Sequence, residues 1–418
     1  MFELLLFLMS VHRPYVDVGF SFKPFMAALM LTGAAEFFRS IEASRMKLRL
    51  AVPPFFVAVG VFVLVCMPSA LTAHSASRVF TLIAALIMCL VMCVVLYRFA
   101  KHTPMERTLL LIYRAGIGVS VISIAGYVLE VAHVLPEMGF FFRGNPNLGR
   151  FSAAPRLVGL HLDANYFAAD IALYLMVSLG AFLALKGGRK WRRAGFLCML
   201  LCSICLVAAS SRGAFLSVAV GGAVLVCLNW RRNLVFILRK WYWFLIAGLC
   251  LGLLVVVAVP HETRAFGTER LLTTTLQNEF KGGGRLTLWL AAWNMFKDHV
   301  LFGVGLGNSI LNREYFKYGP VQFPHNTLVE TLAETGLIGA AAYLWMLGSM
   351  LALSRKTCRR CNTAPQFALA SGLLAANVSI CVSSMFLGML YEPAFWGIWG
   401  ITAGVNARLR QGQELGVP

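Results

Sequence analysis

A chain of 418 residues that is 59% hydrophobic and 13% charged, with a mean hydropathy of +0.74, is excluded from the ordinary soluble domains, which run about half apolar and about a quarter charged. The formal net charge of +19 does not point to nucleic acid: no basic-aromatic binding module occurs, and most of the 37 Lys and Arg lie where membrane topology puts them.

A spanning helix needs about 20 mostly apolar residues. On that measure, spans are expected near 1–12, 17–38, 50–71, 79–98, 108–135, 162–185, 194–209, 214–230, 241–259, 325–353, 365–388 and 392–407. The first is short, but it lacks the basic start and small-residue cleavage site of a signal peptide. The fold class expected is therefore all-α, a polytopic bundle of about 12 transmembrane helices. It divides into spans over 1–259, a long outer loop over 260–324 and further spans over 325–418.

Cytoplasmic loops accumulate Lys and Arg. Placing both termini in the cytoplasm makes every inner loop basic, from Arg39–Arg49 and Arg98–Arg107 through Lys186–Arg193 and Arg231–Lys240 to Arg355–Arg360 and Arg408–Arg410. The eleven cysteines fall in spans or in the inner loop holding Cys358 and Cys361. They read as reduced thiols, and a single C-x-x-C is a weak metal signal.

Two outer connections are long, about 136–161 and 260–324, and long loops are more often functional than not. Within the second, "GRLTLWLAAWNMFKDHVLFG" repeats Trp289, Trp293 and Phe296 at helical spacing, as suits a helix on the bilayer surface. The glycines of "FGVGLGNS" lack the spacing of a dinucleotide-binding turn and read as a tight turn or a close helix contact.

Outside the membrane, topology gives no reason for arginine, yet Arg143, Arg150, Arg156, Arg212, Arg264, Arg270 and Arg285 lie in or beside the outer connections. The planar guanidinium binds phosphate oxygens two at a time. Any one of these could anchor a headgroup, and several converging would bind a polyanion. Arg212 is expected at the tip of a hairpin between two spans. Arg285 follows three glycines and opens a helix, whose free N–H groups also favour phosphate.

His325 stands at the outer mouth of a span. Asn326, Glu330 and Glu334 follow at four-residue intervals and share one face. Ionisable groups at that depth face a wet cavity or a partner, which makes the outer arginines candidate partners. His325 suits a general base, and nearby Arg charges would favour its neutral form. It could equally cap the helix, and the glutamates could be structural counterions.

The blocks "SSRGAFLS" (210–217), "GRLTLWLAAWNMFKDHVLFGVGLGN" (284–308) and "HNTLVETLAETGLIG" (325–339), preceded by "RLVGLHLDANYFA" (156–168), resemble in order and spacing the O-antigen ligase and polymerase superfamily. The resemblance implies a GT-C-like membrane glycosyltransferase with a periplasmic helical loop and no metal, nucleotide or other cofactor. It implies a bacterial inner-membrane protein that takes glycan from an undecaprenyl-diphosphate carrier on the periplasmic face. The ligase branch passes the glycan to a sugar hydroxyl of the lipid A core. Carried over by motif, His325 is the base and Arg212, Arg285 and Arg156 are diphosphate ligands; Asn326 and Glu330, on the same helix face as one another, are the supporting candidates. Open alternatives are an O-antigen polymerase, a protein O-oligosaccharyltransferase, or, from a different class, a transporter of lipid-linked glycan. A transporter should carry inverted repeats with broken helices, and no such symmetry is visible in the sequence.

Overall fold

The computed structural model describes residues 2–12, 16–17, 21–22, 54–131, 134, 156–184, 189–230, 284–317 and 320–414. The expected spans 17–38 and 241–259, with Arg143, Arg150, Arg264 and Arg270, lie outside the described residues. What is described is a polytopic bundle of helices: α1 (Phe2–Leu8), α2 (Pro54–Cys66), α3 (Ala76–His102), α4 (Met105–Val131), α5 (Ala164–Ala184) and α6 (Arg189–Ala209). Then come α7 (Arg212–Trp230), α8 (Arg285–Asp298), α9 (Thr327–Arg359), α10 (Ala364–Ser384) and α11 (Pro393–Glu414).

Among the described residues, six helices are long and apolar enough to cross a membrane: α3, α4, α5, α7, α9 and α10. α11 is too polar at its C-terminal end to join them, although its first half is buried. The segment 1–12 differs from expectation. It forms a helix of 7 residues, which at about 1.5 Å per residue is too short to cross a bilayer.

Without a hydrophobic drive between helices in lipid, close packing and interhelical hydrogen bonds hold the bundle together. α5 crosses α10 glycine on glycine: a Cβ on Gly180 would lie 2.6 Å from Gly372 Cα. Asn377 Nδ2 donates to Ser354 Oγ at 3.1 Å and to Thr402 Oγ1 at 2.9 Å, tying α9, α10 and α11 together. Around this knot the core is aromatic, with Phe395 and Trp399 centred 4.3 Å apart and Phe55 edge-on to Trp399.

The two ends of the bundle are chemically unlike. At one, Arg408 Nη1 donates to Lys101 O (3.3 Å) and Arg360 Nη1 to Asn406 Oδ1 (2.9 Å), so the basic ends of α3, α9 and α11 gather together. At the other end lie the starts of α3, α5, α7, α8 and α9. That end carries His325 with Arg156, Arg212 and Arg285.

Candidate functional site

α9 is broken. Gly336 has φ 66° and ψ −164°, far from helical values, and this frees carbonyls in the turn before it. They do not go unpaired: Val304 N–H donates to Ala333 O (2.9 Å), Gly305 N–H to Glu334 O (2.9 Å), and Leu337 N–H to Val300 O (2.8 Å). The 299–309 loop is thus strapped across the break. Gly303, at φ 67°, allows the approach, since a Cβ there would lie 2.5 Å from Ala333 O. The "FGVGLGNS" glycines therefore serve a close helix contact.

Glu334 completes the strap. Its carboxylate is buried and accepts from Gly307 N–H at 2.7 Å, from Ser309 Oγ–H at 2.7 Å and from Ser309 N–H at 3.4 Å. The partners are loop donors rather than the outer arginines expected from sequence. Arg78 of α3 stands nearby, its Nε 3.4 Å from the position of a Cβ on Gly307.

About two helical turns toward the mouth, Asn326 caps α9, its Oδ1 accepting from Leu328 N–H (3.1 Å) and Val329 N–H (3.2 Å). Capping therefore falls to Asn326, which leaves the His325 ring to other work. Thr327 fastens the same turn to the α10–α11 loop, donating to Leu387 O at 2.8 Å and accepting from Met389 N–H at 2.9 Å. Glu330 lies beneath, its Oε2 buried without a hydrogen-bond partner among the described residues and 2.9 Å from the place of a Cβ on Gly388.

His325 is half-buried with φ 51°, a left-handed conformation uncommon outside glycine and found where surroundings enforce it. The enforcement comes from α8, where Trp289 Nε1–H donates to Pro324 O at 2.9 Å. α8 also brings Arg285 to the ring. Burial, and then the Arg285 charge, hold the imidazole below its ordinary range, with Asp163 opposing. The ring is therefore neutral near pH 7, as a proton acceptor must be.

Arg285 lies over Phe386 of the α10–α11 loop, 5.9 Å from the ring centroid. Phe386 in turn packs on the α6–α7 corner, its Cβ 3.2 Å from the place of a Cβ on Gly213. The next residue back is Arg212, at the first turn of α7. It is exposed, with no hydrogen-bond or ion-pair partner among the described residues. Arg156 is differently employed. Its Nη2 donates to Ala209 O (2.7 Å), Ser210 O (3.4 Å) and Asn165 Oδ1 (3.1 Å), and its Nε to Ala209 O (2.9 Å). It braces the corner where Ser210 takes φ 48°.

The site thus assembles His325, Arg285, the Arg212 corner and Arg156 at one end of the bundle. Sequence reasoning missed Asp163, Trp289, Thr327 and Phe386 as parts of it. Asp163 stood in a motif already noted. Phe386 carried no local signal.

Residues 196–344 match the family model described as Wzy_C, O-antigen ligase. The match runs from α6 into α9 and contains Arg212, Arg285 and His325. Over 264 residues the chain is 27% identical to the teichuronic acid biosynthesis protein TuaE of Bacillus subtilis (strain 168), covering 60% of this chain and 52% of TuaE. The chain therefore spans about half the length of the curated relative it matches. A chain in the solved structure "Structural coordination of polymerization and crosslinking by a peptidoglycan synthase complex" is 17% identical at a TM-score of 0.42, with 87% of this chain and 98% of that chain covered.

Proposed function

From the premise that the chain belongs to the O-antigen ligase/polymerase superfamily, we propose that it is a lipopolysaccharide O-antigen ligase. It transfers glycan from undecaprenyl diphosphate to a sugar hydroxyl of the lipid A core, on the periplasmic face of the inner membrane. The carrying observation is one half-buried imidazole beside one guanidinium: His325, kept neutral by burial and by Arg285.

In this reading the acceptor hydroxyl gives its proton to His325 as its oxygen attacks the anomeric carbon. The bond from that carbon to the diphosphate oxygen breaks with inversion. The charge developing on the departing diphosphate is met by Arg285 and Arg212, the electrostatic role often largest in catalysis. Arg156 enters as the brace that sets Arg212, because its donors are already directed to Ala209, Ser210 and Asn165. The donor arrives activated by its own diphosphate, so the step consumes no nucleotide.

His325→Ala should lower in vitro transfer from carrier-linked glycan to purified core lipid by about 10²–10⁴-fold, with expression and melting temperature retained. An unchanged rate removes His325 from the chemistry. The match to a teichuronic acid biosynthesis protein favours one second reading, a polymerase whose acceptor is another carrier-linked glycan. Gel analysis of lipopolysaccharide from a deletion strain separates them: bare core for a lost ligase, core capped by a single repeat for a lost polymerase.

A further inference from the structure

Apart from the transfer site, a second cluster of ionisable side chains is enclosed near the same end of the bundle. His12 follows α1, His161 precedes α5 and Asp170 lies on α5. All three are buried, and one ligand atom from each lies within 4.8 Å of the others. The two imidazoles are stacked with centroids 3.8 Å apart. Glu392, just before α11, places Oε2 3.4 Å from His12 Nδ1.

One observation argues against a pair of ordinary buried ion pairs. His161 Nε2 and Asp170 Oδ2 approach to 3.1 Å, yet neither atom makes a hydrogen bond among the described residues, nor does His161 Nδ1. Donor and acceptor at hydrogen-bond distance but off-line are what two ligands of one ion look like. Adjacent ligands of a tetrahedral ion with bonds of about 2.0–2.2 Å stand about 3.3–3.6 Å apart, so this pair would open by about 0.2–0.5 Å to take one.

We infer that His12, His161 and Asp170 bind a divalent transition metal of the zinc class, with Glu392 orienting His12 through Nδ1. An imidazole and carboxylate donor set suits such an ion, and a carboxylate on the far ring nitrogen is the usual support of a ligating histidine. The ion staples the end of α1 to α5 and to the 156–163 segment, which carries Arg156 and Asp163 to the transfer site. Its role is to hold that segment, and it stands independently of the proposed transferase.

The test uses the full chain, purified in detergent without a polyhistidine tag, loaded with Zn²⁺ and freed of unbound metal. Elemental analysis should find one zinc per chain. His161→Gln and Asp170→Asn should each lose it, while His74→Gln, at an exposed histidine, keeps it. Wild type that retains no zinc overturns the inference, as does zinc retained equally by the two ligand variants. Should those variants not fold, X-ray absorption of the zinc-loaded wild type decides: two imidazoles in the scattering support the site, and none overturns it.

Discussion

Replacing Gly336 with alanine tests whether the break in α9 is built in. At φ 66° and ψ −164° the backbone is in a region essentially confined to glycine, and holding another residue there costs about 1–3 kcal/mol. The added Cβ would also lie 2.3 Å from Leu301 O and 2.6 Å from Phe302 N. The 301–302 backbone must retreat by about 1 Å to reach ordinary contact. That stretch sits between the hydrogen bonds Leu337 N to Val300 O and Val304 N to Ala333 O, with Gly305 N to Glu334 O just beyond. At about 0.5–1.5 kcal/mol each, their loss adds about 1.5–4.5 kcal/mol. The total of about 2.5–7.5 kcal/mol is large for one methyl group.

Gly348 supplies the matched control, since it lies in the same helix and a Cβ there meets nothing within 4 Å. Gly348→Ala should be neutral or gain up to about 1 kcal/mol from helix propensity. Thermal unfolding in detergent, followed by circular dichroism and tryptophan fluorescence, reads both. Gly336→Ala should lower Tm by about 3–9 °C and Gly348→Ala should move it by less than about 2 °C. Equal melting temperatures would show that α9 straightens without cost, and the strap would have no energetic content.

Other outcomes follow from the same geometry. Since burial and Arg285 lower the His325 pKa, the neutral base persists as pH falls through the ordinary histidine range, and transfer should fail only below it. Arg285→Gln removes one lowering cause, so the acid limb of the rate profile should move to higher pH; a limb that stays in place refutes the coupling. The same shift makes the unfolded chain take up the proton first, so stability should fall as pH drops through about 6.5, less so in His325→Gln. Trp289→Phe deletes the hydrogen bond to Pro324 O and should slow transfer by about 2–10-fold. Trp293→Phe, at an exposed ring, should not, and equal effects would deny Trp289 its positioning role.

The spans were legible because hydropathy is a local property. α3, α4, α5 and α10 lie where their apolar runs put them. The break in α9 was not, because a glycine inside an apolar stretch is compatible with an unbroken helix. Only the loop crossing it fixes its φ and ψ. Glu334 was legible as an inward-facing group, since a carboxylate so deep requires partners. Their identity was not, because backbone N–H groups of Gly307 and Ser309 look like any others in a sequence. His325, Arg212 and Arg285 stood out as costly residue types at the ends of apolar runs. Phe386 and Asp163 come from segments that meet them only in three dimensions. The segment 1–12 misled because apolar content gave no warning that its helix stops at Leu8.

For the proposed chemistry, the break also offers a way for a spanning helix to hold His325, the residue before its cap, in place. A long helix in lipid tilts and shifts with its neighbours, and a base at its tip would move with it. Here the outer part, from Thr327 to Gly336, is fastened separately. Asn326 closes its start, Thr327 ties it to the α10–α11 loop, and Glu334 clasps the 302–309 loop. Trp289 then holds Pro324 from outside. A misplacement of 1 Å at a reacting group can cost about 10²-fold in rate, so this fastening matters more to the proposed chemistry than the stability it adds. The remainder of α9 beyond Gly336 is left to meet the bilayer, and the mouth need not follow its motion.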